Sequence, residues 1–379
     1  MPFRVERRLC QTRPVSLDRL RATLDAAGHS QAILSHPESL ASIGCFELPA
    51  ADWPVANPFV AVPALLCVAP NDAVLVAADF HAPDVRSSDA RVVTYRSYDF
   101  ERPPDPAGEL RSVLAATLDE AGFSRGPTGI EARHLPHAVA EWLHQSGRTP
   151  VSCDDAVQVT PSLDAIRRAS QLSDVVQQAV KDHAAAGMSE AELAGLAETA
   201  MFREAGKRVP AILTVSTGVE GTASGGGVAT DRLVRQGDLV LTDTSPWLDG
   251  GWADTANAVL VGMPDRTTRT RFDAVRRALH EGIALCRPGV VAKDIDRRVR
   301  ELVAEHGPTY SHHTGHRIGA GWSEEPRITP YCEERIEEGM VLALEPAIYL
   351  PGWGGIRLEH TFLVGARDNE ILTMFEHTL

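Results

Sequence analysis

The chain has 379 residues, 44% of them hydrophobic and 23% charged, which allows two domains and a sizeable core. Its formal net charge of −14 excludes nucleic acid and anionic membrane surfaces as default partners. The six cysteines, Cys10, Cys45, Cys67, Cys153, Cys286 and Cys332, are scattered and form no Cys-x-x-Cys pair. That excludes a zinc-finger pattern and a small disulfide scaffold, and it suits reduced thiols in a cytoplasmic protein.

The charged start MPFRVERRLC is not followed by a long apolar segment, so no signal peptide is expected. Residues 15–28 predict a helix, with Ser16 as N-cap and Leu17, Leu20 and Leu24 at helical spacing. Ala32–Leu34 is a short strand. Ala64–Val68 and Ala73–Ala77 form a strand pair around an Asn71-Asp72 turn, and Val92–Tyr95 is another strand. VAVPALLCVAP at 60–70 is the most apolar stretch, but proline interrupts it and it is too short to span a bilayer. Helices follow at 108–121 and 135–146, with Thr128–Glu131 marking a strand edge between them. Alternating strands and helices predict a compact α/β domain. His81, His134 and His137 stand isolated and read as surface or packing residues.

A boundary is expected within 150–162, where Thr160 can cap a helix and Pro161 suits its first turn. We set the domains at 1–158 and 159–379. A long helix runs to about Ala185. Ser189-Glu190-Ala191-Glu192 is a capping box that opens the next helix, ending near Ala205. A strand at 211–216 leads into a glycine-rich loop, 218–227, which lacks the ending of a phosphate loop. Strands at 239–245 and 252–262 form a hairpin around Leu248–Gly251. Helices are expected at 268–285 and 291–305, a histidine-bearing loop at 308–319, and mostly strand over 339–379.

Five residues of the C-terminal half read as one metal site: Asp243, Asp254, His316, Glu345 and Glu359. Each lies in or beside a run of β-branched and apolar residues. An unpaired carboxylate in a sheet is strongly penalised, so several sharing a space need protons, bases or metal ions between them. Four carboxylates and one imidazole suit Mn, Co, Zn or Fe rather than copper. Other readings of single residues remain open. Asp254 caps a turn and Asp243 ends a strand, or Arg357, on the same strand face as Glu359, forms a salt bridge with it.

The five together closely resemble the metal ligands of the creatinase and methionine/Xaa-Pro aminopeptidase superfamily. The resemblance rests on Asp243 and Asp254 with ten residues between them, Gly315-His316-Arg317-Ile318-Gly319, Glu345-Pro346-Ala347-Ile348-Tyr349 and Gly355-Ile356-Arg357-Leu358-Glu359. It extends to the N-terminal half through VSLDRLRATLDAAGHSQAILSHPESL and TGIEARHLPHAV. It implies an α+β chain, with a pita-bread catalytic domain preceded by a smaller α/β creatinase-type domain. It also implies two divalent ions, Mn2+ or Co2+ foremost, Zn2+ or Fe2+ otherwise. Asp243 would chelate one ion, Asp254 and Glu359 would bridge both, and His316 and Glu345 would complete the other. Glu345 and His312 would act in catalysis. Apart from the resemblance, His313, Ser323, Arg357 and Trp322 are expected to contact substrate, and His313 has no counterpart in the family pattern. A homodimer is implied as well.

The sequence departs from the family pattern in three places. Ser323 stands where the aminopeptidases carry a histidine seven residues after the metal histidine, and serine is no general acid near pH 7. The loop 220–227 has no histidine. Asp254-Thr255-Ala256-Asn257-Ala258 replaces the usual Asp-x-Thr-Arg-Thr.

The leading reading is a metal-dependent hydrolase of a peptide or amide C–N bond, Xaa-Pro peptidase-like, acting on a small peptide or amide. One alternative is a small non-peptide amide or modified amino acid as substrate, as for creatinase or an ectoine hydrolase. Another is a metal-free enzyme with His312 or His313 as base, and a third is a binding protein without chemistry. Trp247, Trp252, Trp322 and Trp353 lie near the motifs and suit a pocket wall, a dimer contact or the core.

Overall fold

The computed structural model describes residues 16–48, 57–86, 89–157, 161–308, 310–319 and 321–379. Cys10, Val159 and Thr160 lie outside the described residues. The chain divides into two compact units, Met1–Asp164 and Ala165–Leu379. No described helix is long and apolar enough to cross a membrane.

The first unit is a mixed sheet with helices. In chain order it holds α1 (Leu17–Ala26), β1 (Ala32–Leu34), α2 (Pro37–Ser42), β2 (Ala64–Val68), β3 (Ala73–Ala78), β4 (Arg91–Tyr95), α3 (Pro106–Glu120), β5 (Gly126–Ile130), α4 (His137–Gln145) and β6 (Arg148–Ser152). The strand order is β4-β3-β2-β1-β5-β6. β2 pairs antiparallel with both β1 and β3, and the remaining pairings are parallel. Continuous apolar runs in β2 and β3 make them buried central strands. Leu110, Leu114 and Leu118 of α3 pack on that sheet at helical spacing. Each such buried leucine contributes roughly 1.5–3 kcal/mol. His81 is buried and sits 3.0 Å from Asp84, a packing role, while His134 and His137 are exposed.

The second unit opens with α5 (Leu163–His183) and α6 (Glu190–Ala205), whose capping box is formed by Ser189 and Glu192. β7 (Ala211–Thr217) follows, then α7 (Gly218–Ala223), so part of the expected glycine-rich loop is helical. The helix forms because Thr222 serves two partners: its hydroxyl donates to Gly218 O at 2.6 Å and accepts from Gly355 N at 2.9 Å. β8 (Leu239–Leu248) runs three residues beyond its expected end. The expected strand 252–262 is broken into β9 (Gly251–Trp252) and β10 (Thr255–Leu260), with Asp254 at the break.

α8 (Arg266–Leu285) and α9 (Ala292–Ala304) then cover the strands that follow. Ile295, Val299 and Val303 of α9 join Val275 and Leu279 of α8 in one buried cluster with Leu342, Leu344 and Phe362. The expected loop at 308–319 contains a strand, β11 (Gly315–Ile318), because its backbone pairs even though its polar residues hide the pattern. β12 (Glu324–Ile328), β13 (Val341–Leu344), β14 (Ala347–Leu350), β15 (Gly354–Arg357), β16 (His360–Leu363) and β17 (Glu370–Ile371) complete the unit. They form the antiparallel order β12-β11-β13-β16-β17 and a separate β14-β15 hairpin, beside the sheet β10-β8-β7.

Candidate metal centre

Strand register brings the acidic residues together. In the β8–β10 pair, Asp243 stands opposite Ala256, two residues after Asp254. Ala256 O accepts from Glu359 N at 2.9 Å, and Thr255 Oγ1 donates to Glu359 O at 2.8 Å. Asp254 N donates to Thr361 Oγ1 at 3.0 Å. The start of β16 is thereby stitched to the hairpin. In the other sheet, Leu344 pairs with His360 and with Gly315, so Glu345 and Glu359 emerge side by side next to His316. Gly315 is required there, because a Cβ at that position would collide with the carbonyl of Ala343.

Two donor clusters result. Ligand atoms of Asp254, His316 and Glu359 all lie within 4.8 Å of one another, and so do those of His313, His316 and Glu345. His316 belongs to both. Glu359 Oε1 is buried and has no hydrogen-bond partner. A buried carboxylate oxygen left in that condition costs free energy that a cation would recover. Oxygen and imidazole donors around it fit a divalent ion of the Mn, Co, Zn or Fe type. Asp243 belongs to neither cluster. Its Oδ2 takes the guanidinium of Arg357, which also donates to Tyr349 Oη at 2.8 Å and Gly225 O at 2.8 Å. The alternative of an Arg357–Glu359 bridge gives way to Arg357–Asp243, a partner 114 positions away.

The electrostatics of the site divide it. Burial raises Glu359 well above the carboxylate range, and the charges of Asp254, Glu345 and Asp243 add to that. Burial also raises Asp243, to about 7, against the opposing charge of Arg357. Burial acts the same way on Glu345, but a hydrogen bond from His313 and the charges of His312, Arg357 and His316 outweigh it and hold Glu345 at about 2. His316 is raised: burial opposes its charge, but Asp254 at 3.4 Å more than compensates. Without cations, protons must occupy part of this cluster.

These groups border a cavity of about 620 Å3, lined among others by Asp243, Asp254, Glu345, His312, His313 and Trp322. His313 Nε2 sits 2.9 Å from Glu345 Oε1, and His312 Nε2 lies 3.2 Å from Tyr349 Oη. Ser323 does not line the cavity, and its carbonyl accepts from Arg327 Nη2 at 3.4 Å. Of the four motif tryptophans only Trp322 lines the cavity. Trp247 and Trp252 are buried against each other, and Trp353 takes the guanidinium of Arg271 over its ring at 4.3 Å.

Sequence reasoning missed a clamp behind the histidines. Asp296 of α9 is buried and accepts from Arg300 Nε at 2.9 Å and from Thr314 Oγ1 at 2.6 Å. Arg300 in turn donates to the carbonyls of Tyr310 and His312, both at 2.7 Å, and lies 4.2 Å over the Tyr310 ring. Tyr310 stacks on His312 at 4.8 Å. The visible signal was an Asp and an Arg four residues apart, one turn of α9, with the Asp facing inward among Ile295 and Val299.

Comparison with known proteins places this architecture. The profile of metallopeptidase family M24 matches residues 164–366. The chain belongs to metallopeptidase family M24. The Xaa-Pro dipeptidase of Pyrococcus furiosus is 31% identical over 225 residues, 59% of this chain and 64% of its own length, so the match spans less than two thirds of that relative. The probable dipeptidase PepE of Mycobacterium tuberculosis is 27% identical over 82% of each chain. The solved Xaa-Pro dipeptidase of Bacillus anthracis superposes with a TM-score of 0.78, covering 96% of this chain and 98% of its own, at 21% identity. The likeness to that structure establishes the shared pita-bread fold, with the smaller α/β domain ahead of it.

Proposed function

We propose that the chain is a divalent-metal-dependent hydrolase of peptide C–N bonds, with Xaa-Pro peptides as its substrate class. The observation that carries this is the Asp254–His316–Glu359 cluster, in which a buried carboxylate oxygen has no partner. The names of the relatives give the substrate class. Asp254, Glu359 and His316 would hold metal, with Glu345 and Asp243 completing a two-ion set of Mn2+ or Co2+. Such ions, when bound, supply a lowered water pKa and polarise a carbonyl.

The chain's own residues do the rest. Glu345, held ionised, would accept a proton from the water that attacks the carbonyl carbon and return it to the leaving nitrogen as the C–N bond breaks. His312 is kept neutral by burial and faces the cavity, where its ring can orient a substrate carbonyl. Arg357 holds the Asp243 carboxylate in place. The cavity confines the substrate and limits bulk water. We also place the enzyme in the cytoplasm as a homodimer, a reading supported by its cysteine usage and by the family resemblance.

The test is a hydrolysis assay on protein stripped of metal and reloaded with Mn2+ or Co2+. It should cleave Xaa-Pro dipeptides or longer Xaa-Pro peptides and be inactive before reloading. Bound metal with no turnover of either peptide class would overturn the peptidase reading.

A further inference from the structure

Trp322 is the aromatic residue of the cavity that also touches the candidate ligand set. Its indole Nε1–H donates to Asp254 Oδ2 at 2.7 Å. The other oxygen of the same carboxylate, Oδ1, accepts from Ser245 Oγ at 2.9 Å. Each oxygen of Asp254 therefore has a close donor, with His316 Nε2 a further contact of Oδ2 at 3.4 Å, and the carboxylate cannot rotate without breaking the bonds to Ser245 and Trp322. Asp254 is 3% exposed and His316 is 1% exposed, whereas Trp322 is 39% exposed at the cavity wall. The ring also stands edge-on to His316, with centroids 5.9 Å apart.

An indole N–H is a donor only, and it holds its proton across the whole working pH range. It can therefore orient an acceptor carboxylate without ever competing for a proton. Groups of this kind, which hydrogen-bond a ligand rather than the metal, typically change metal affinity 10- to 100-fold when removed. A carboxylate oxygen has a second lone pair, so a donor on Oδ2 and a cation on Oδ2 are compatible.

We infer that Trp322 is a positioning residue that orients the Asp254 carboxylate for metal while its ring walls the substrate cavity. The inference rests on the metal reading given above. Substrate lying on the ring removes water from the Nε1–H···Oδ2 bond, which strengthens it. Substrate and metal affinity are then coupled, and by linkage each raises the other.

The experiment is calorimetric titration of the metal-free full chain with Mn2+, comparing the parent, Trp322→Phe and Trp322→Gln, with the thermal midpoint of each metal-free form as the folding control. Phenylalanine keeps the ring and deletes the N–H, while glutamine keeps an N–H donor without adding an imidazole that could itself bind metal. Mn2+ binding about 10-fold or more weaker in Trp322→Phe, and largely recovered in Trp322→Gln, is the expected result. Unchanged affinity in Trp322→Phe overturns the assignment, as does equal weakening in both variants, which would leave only ring packing. Should Trp322→Phe not fold, Trp322→Leu takes its place as the N–H deletion: Mn2+ binding about 10-fold or more weaker supports the assignment and parent-like binding overturns it. A parent that takes up no Mn2+ removes the metal reading and this inference together. A parent that loads normally beside an unaffected Trp322→Phe removes this inference only.

Discussion

Two buried glutamates, one in each unit, show how the same residue serves opposite ends. Glu131, 4% exposed, accepts from Ser35 N at 2.5 Å, His36 N at 2.6 Å and Ser39 Oγ at 2.5 Å. Its two oxygens tie the chain after β1 and the start of α2 to the end of β5. Glu359, 1% exposed, has an oxygen with no partner and three other carboxylates as neighbours. Burial raises both. At Glu131 the donors offset that cost, and at Glu359 like charges add to it. A satisfied buried carboxylate is a structural tie, whereas an unsatisfied one among its own kind is a site waiting for a counter-charge.

The largest expected effect comes from Glu359→Gln. Hydrolysis should fall by about 1,000-fold or more, because several kcal/mol of transition-state stabilisation depend on bound metal. Without metal, the same variant should melt at a higher temperature than the parent at pH 8, since a carboxylate with a raised pKa has been neutralised. A lower melting temperature would end the contrast with Glu131. Glu131→Ala should do the reverse. It strands two backbone N–H groups and a hydroxyl, costs about 3 kcal/mol in denaturant unfolding, and leaves Mn2+ uptake per folded chain unchanged.

pH sharpens the comparison further. Asp243 and Glu359 have folded pKa values above their unfolded ones, so their contribution to metal-free stability is greatest below the unfolded carboxylate range. The Asp243 part is lost as pH rises through about 7, and the Glu359 part is lost as pH rises further above the carboxylate range. Glu345 runs the other way, and its contribution is lost only as pH falls toward about 2. Metal binding must displace protons from the raised pair. The rise in melting temperature on adding Mn2+ should therefore be several degrees larger at pH 8 than at pH 5, and a flat response would refute the proton-held cluster. The smallest effect is expected at Arg300→Lys. An ammonium cannot reproduce the fork to Asp296 and two carbonyls, so stability should fall by about 1–2 kcal/mol.

How much of this was legible in the sequence follows from where each signal lies. Asp243, Asp254, His316, Glu345 and Glu359 are polar residues set into apolar runs, and that contrast shows in one dimension. Strands β2, β3 and β8 were legible for the same reason. Register was not. That Leu344 faces His360, and so sets Glu345 beside Glu359, is a long-range pairing with no local trace. The Arg357–Asp243 contact left no trace for the same reason, and same-strand spacing offered only Arg357–Glu359 as one alternative. β11 was hidden because Gly-His-Arg-Ile has no apolar alternation, and α7 because Gly-Val-Glu-Gly-Thr-Ala has poor helix propensity and depends on contacts to Gly355. The role of His313 beside Glu345 was likewise invisible beside its neighbour His312.

The Asp296–Arg300 clamp makes α9 a silent shareholder in the cavity: the helix lends no side chain to its wall yet dictates the path of the histidine segment. In a saturation scan scored for growth or turnover, Asp296 and Arg300 should therefore tolerate fewer replacements than the exposed positions of the same helix. Arg297, Arg298 and Glu301, whose side chains are 67%, 49% and 56% exposed, should accept nearly any replacement. Along that one helix, selection would trace an inward-facing stripe with the period of the helix itself.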